Sequence, residues 1–206
     1  MSSFVTSLEE KLSRFYEDEN YGACLGVCAE IFQFEKNNPI AWLYKGLCLA
    51  VKNLSYRYIN TSELRDISSY FKNFIFYSDE SLLADEKYKM LIVNSVKSLY
   101  YRTYYDSETE AVDYVIPNAV KFVFARNRLE DQIFNNKMYV NNYSILVSIL
   151  ESYFNKRQDV IVLQLLVKFL YDAYFPGNET GEFHNMRFQY FDKGELKKYG
   201  AMYVEY

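Results

Sequence analysis

The chain has 206 residues, half of them hydrophobic and 19% aromatic, with 22 Tyr and 16 Phe. That composition excludes an intrinsically disordered chain, which would lack the apolar surface to offset backbone entropy. Seven Gly and three Pro are too few for the frequent turns of an all-β fold, and a net charge of −4 without a basic block argues against general attraction to DNA or anionic lipid.

In chain order the pattern is helix after helix, separated by short polar breaks. Leu8, Leu12 and Phe15 define a first amphipathic helix that gives out by Asn20. A second is expected from about Tyr21 to Phe34, with Leu25, Cys28, Ile31 and Phe32 on one face. Asn37 and Asn38 break it. Pro39 suits the first turn of a third helix, where its missing N–H is not needed, and that helix carries Trp42, Leu43, Gly46, Leu47 and Ala50. Asn60 can cap a fourth, with Glu63 three residues on, over Leu64, Ile67, Phe71, Phe74 and Ile75.

Ser78 and Asp79 end that pattern, and a fifth helix follows with Tyr88, Leu91, Ile92, Val96 and Leu99 on one side. Ser107 and Glu110 form a capping box ahead of an apolar run from Val112 to Val123, which Pro117 should kink. Tyr143, Leu146, Ile149, Leu150 and Tyr153 mark another helix. The last long one, about Asp159 to Tyr174, is apolar almost all round and reads as central. Gln164, Lys168 and Asp172 interrupt it, so it is a buried helix and not a membrane span. Pro176 and Gly177 stop it. The expected organisation is a helical domain over 1–176 with an irregular C-terminal appendage, 177–206, packed on it. Within the appendage, Met186, Phe188 and Tyr190 permit a short extended segment, and Asp192 can cap a final helix.

A shift of 34 residues lays Leu8 on Trp42, Leu12 on Gly46 and Phe15 on Leu49, while Ala23, Cys24 and Cys28 supply small residues to the intervening helix. On these positions, residues 5–51 resemble one tetratricopeptide repeat followed by the first helix of a second. The resemblance implies an all-α fold of antiparallel helical hairpins, with a groove lined by Glu9, Ser13, Tyr16, Leu43, Leu47 and Ala50. Beyond Asn53 the register fails, since Tyr58 falls where a small residue is wanted and Asn60-Thr61-Ser62 reads as a break.

Candidate chemistry is sparse. His184 is the only histidine, which excludes multi-histidine metal sites. Cys24 and Cys28 lie one turn apart, and with Cys48 they read as reduced core thiols. No phosphate loop, nucleophile elbow or paired-histidine helix is present. Neither metal nor cofactor is expected, and no enzymatic activity. The densest local feature is Lys97 to Tyr105, where Tyr100, Tyr101, Arg102, Tyr104 and Tyr105 are weak candidates for contacting a partner.

The functional expectation is a cytoplasmic, non-catalytic protein–protein interaction module, adaptor-like, chaperone-like or regulatory. It would bind a protein or peptide, with self-association possible and no membrane partner. The alternatives are a helical ligand-binding protein or enzyme with a central pocket, or a nucleic-acid-binding protein using the 97–105 segment beside Lys121, Arg126 and Arg128.

Overall fold

The computed structural model describes residues 3–56, 59–104 and 129–174, and every regular element among them is a helix. In order these are α1 (Ser3–Glu17), α2 (Tyr21–Phe34), α3 (Pro39–Leu54), α4 (Thr61–Tyr77), α5 (Glu80–Ala84), α6 (Glu86–Tyr104), α7 (Leu129–Lys156) and α8 (Val160–Tyr174). The protein is therefore all-α over this range. The expected capping box at Ser107, the kink at Pro117 and the whole 177–206 appendage, with His184, lie outside the described residues.

Side-chain caps set the helix boundaries. Asn20 accepts from the Ala23 amide at 3.2 Å, Asn38 from Ala41 at 2.9 Å, and Asp79 from Leu82 at 2.8 Å. Asp159 accepts from Ile161 and Val162 at the start of α8. Each satisfies amides that the first helical turn leaves without partners. Between α1 and α2 the chain turns on Glu19, at φ 56°, as the Glu19 amide donates to Tyr16 and the Asn20 amide to Phe15. This is the Schellman pattern with a glutamate at the left-handed position that glycine usually fills.

The chain forms two compact units, residues 1–99 and 100–206. In the first, α1 packs on α2 and α3, α2 on α3, and α3 on α4. Its core includes Leu8, Leu12, Ile31, Leu43, Tyr44, Leu47, Phe71 and Phe74, all nearly inaccessible. α4 approaches α3 closely at Gly46, where an added Cβ would stand 2.7 Å from Phe71 Cε1.

In the second unit α7 packs on α8, burying Tyr143, Leu146, Leu150, Tyr153, Leu163, Leu166 and Phe169. The apolar character of α8 does not make it buried on all sides. Val160, Ile161, Gln164 and Lys168 are exposed, so one face meets solvent. No helix among the described residues is long and apolar enough to cross a membrane.

Candidate interaction surface

The aromatic segment at the end of α6 is divided by burial. Tyr100 is only 2% exposed, stacked on Phe169 at 3.8 Å between ring centroids and edge-on to Tyr143 at 6.0 Å. It is a core residue of the second unit. Tyr101 and Arg102 are half-buried and Thr103 is buried. The side chain of Tyr104, with Tyr105, Lys121, Arg126 and Arg128, lies outside the described residues. A partner could meet Tyr101 and Arg102 alone of the described candidates.

The face of α1 and α3 that the repeat resemblance makes a groove is covered by the chain itself. Leu43, Leu47 and Ala50 are buried. Across α1, Lys87 of α6 donates to Ser13 Oγ at 2.7 Å and pairs with Glu17 at 3.5 Å, and Ser13 also donates to Glu17 at 2.8 Å. Glu9 accepts from Asn38 Nδ2 at 2.7 Å, and Tyr16 stands edge-on to Tyr44 at 5.7 Å. Burial pushes the Tyr16 and Tyr44 phenols up to about 12.

A different surface is left open on α3. Trp42, Lys45, Leu49 and Lys52 follow the three-and-four spacing of one helical stripe and stay half-buried or exposed, while the residues between them are mostly core. Phe32 of α2 flanks this stripe on one side and Tyr70 of α4 on the other. Trp42 lies 4.4 Å from Phe32 and is stacked at 5.6 Å on Tyr70, so three helices each give a ring to one ledge. Trp42 therefore links three helices at the surface. Lys45 Nζ sits over the ledge, 4.5 Å from the Tyr70 centroid, 5.4 Å from Trp42 and 5.6 Å from Phe32.

Two turns further on, Lys52 lies 5.7 Å from the Tyr56 ring and bonds Glu63 Oε1 at 2.9 Å, to which Tyr56 also donates. The two lysines share a stripe but differ in their counterions. The separation of Trp42 and Lys45 by three residues is visible in the sequence. Phe32 and Tyr70 carry no sequence signal of reaching them.

Cys24, Cys28 and Cys48 are free, buried thiols. Hydrogen bonding with Cys24, and then burial, hold Cys28 and Cys48 above the ordinary thiol range. Among the described residues no group of acidic, cysteine or histidine side chains could hold a metal ion. Compared with family models, curated proteins and solved structures, the chain matches none.

Proposed function

We propose that the chain is a non-catalytic protein–protein interaction module of the tetratricopeptide-like type, working in the cytoplasm, and that it grips a protein segment on the α2–α3–α4 side. The observation that carries this reading is the ledge of Phe32, Trp42 and Tyr70 beneath Lys45. Partly exposed aromatic rings contribute affinity out of proportion to their number, because each buries a large rigid surface at little entropic cost.

The repeat-like reading draws support from α1 packing on both α2 and α3, and from the close approach of Phe71 to Gly46. Its usual groove is occupied by Lys87 and filled by Leu43 and Leu47, which leaves the opposite flank of α3 as the surface for a partner. Tyr101 and Arg102 take a secondary place in this scheme.

The test is affinity capture from the native host with the wild-type chain and with Trp42→Ala, followed by mass spectrometry. One protein recovered reproducibly by the wild type, verified by reciprocal capture and lost with Trp42→Ala, is the expected result. A partner retained equally by both chains would move the interface elsewhere. Recovery of a small-molecule product or substrate in place of a protein would overturn the reading.

A further inference from the structure

Lys45 differs from three other lysines of this unit in what it meets. Lys52 is paired with Glu63, Lys87 with Glu17 and Lys89 with Glu86. Lys45 is half-buried against three rings and has no carboxylate within salt-bridge distance among the described residues. Beside it, Trp42 Nε1 is buried and without an acceptor. The ledge thus holds a cationic donor and an indole N–H without an acceptor, and it supplies no carboxylate of its own.

A cation held against ring faces keeps part of its attraction unspent, because the quadrupole of a ring is weaker compensation than a carboxylate. The same rings shield the site from water, so an approaching anion gains more there than on an open surface. We infer that the ledge docks a protein segment that sets an aspartate or glutamate side chain on Lys45 and an adjacent aromatic or branched aliphatic side chain on Trp42 and Tyr70. This inference rests on the interaction reading and names the partner's chemistry. The chain as a whole carries a net charge of −4, so the attraction is local. One ion pair gives only a shallow salt dependence, unlike the steep one of a phosphate backbone.

The test is panning of a random dodecapeptide library on the full chain and on Lys45→Glu, with helicity verified by circular dichroism and Lys45→Gln as a neutral second variant. The wild type should enrich peptides with a carboxylate beside an aromatic or aliphatic residue. Lys45→Gln should weaken them by about tenfold, the scale of one partly desolvated charge pair. Lys45→Glu should abolish them and select Lys or Arg at the same position. Peptides without acidic preference, or bound equally by both variants, would overturn the ledge assignment and leave the interaction reading standing. No enrichment by the folded chain would overturn the assignment and also count against the interaction reading. Retention of single-stranded RNA that is steeply salt-sensitive and lost in Lys45→Glu would overturn both in favour of nucleic acid.

Discussion

Asn53 and Asn60 are joined by a reciprocal pair of hydrogen bonds. The side chain of Asn53 donates to the Asn60 carbonyl at 3.0 Å and accepts from the Asn60 amide at 2.9 Å. Asn60 meanwhile caps α4 with its own side chain, accepting from Ser62 and Glu63. Asn53, wholly inaccessible, thus fixes the residue that starts the next helix. Asn60→Ala should cost about 1 kcal/mol, the worth of one cap. Asn53→Ala should cost more, about 2–3 kcal/mol, because it leaves the Asn60 amide without its acceptor and empties a wholly buried site, while the Asn60 carbonyl keeps the Leu64 amide. Urea denaturation of the two variants checks the order, and equal losses would contradict it.

The glycines divide by what surrounds them. A Cβ at Gly46 would meet Phe71 Cε1 at 2.7 Å and Cδ1 at 2.8 Å, and Phe71 is itself wholly buried. Gly46→Ala is expected to destabilise by about 1–3 kcal/mol through overpacking. Gly22 and Gly26, within α2, have nothing within 4 Å of an added Cβ. Gly26→Ala should stabilise by about 0.5–1 kcal/mol, since alanine loses less freedom in a helix. Thermal denaturation should move in opposite directions for the two substitutions.

Asn38 caps α3 and also donates from Nδ2 to Glu9 at 2.7 Å and Glu35 at 3.1 Å. Aspartate at a helix N-terminus ordinarily gains about 0.3–1 kcal/mol from the helix dipole. Here it would replace a donor by a third carboxylate at a site 2% exposed, a loss of about 1–3 kcal/mol for the unmade bonds alone. The second effect is larger, so Asn38→Asp is expected to destabilise the protein even with the cap intact. Adding Glu9→Gln should recover part of the loss at neutral pH. An Asn38→Asp variant as stable as wild type would contradict this geometry.

Tyr16 and Tyr44 contribute to the alkaline pH dependence. Burial raises both phenols from 10.0 to about 12, Tyr44 against the opposing effect of its hydrogen bond with Ser13. Between pH 10 and 12 the unfolded chain releases phenolic protons that the native state keeps, so stability falls as pH rises through that window. Below pH 10 their contribution is fully present. Urea midpoints measured from pH 9 to 11.5 should decline, with a shallower slope in Tyr44→Phe, which has one fewer retained proton. An unchanged slope would show that Tyr44 does not contribute.

The sequence was most legible where the physics is local. Asn20, Asn38, Asn60, Asp79 and Asp159 sit at breaks in apolar periodicity, and each caps the helix that follows. The proposed pairing of Asn60 with Glu63 was half visible. Asn60 does accept from the Glu63 amide, but the Glu63 carboxylate turns to Lys52 and Tyr56, and the Asn60 amide is taken by Asn53. That exchange depends on how α3 and α4 meet, which no local pattern carries. The five-residue α5 has only one buried side chain, Leu83, too little to register as periodicity.

Tyr100 and Trp42 show the same limit at the candidate surface. A tyrosine near a helix end is amphipathic and fits a core or an interface equally well, and only the approach of Phe169 decides for the core. Trp42 and Lys45 are neighbours by helical spacing, whereas Tyr70 joins them only through the register of α4 against α3.

Trp42 is the only tryptophan, so its emission reports on the ledge without interference. The most direct measurement is a fluorescence titration of the full chain with the acidic–aromatic peptide selected in panning, repeated on Lys45→Glu. A saturable change in Trp42 emission that is absent in Lys45→Glu is the result expected of a docking ledge. Peptide binding that leaves Trp42 emission unchanged, or that survives Lys45→Glu, would contradict it.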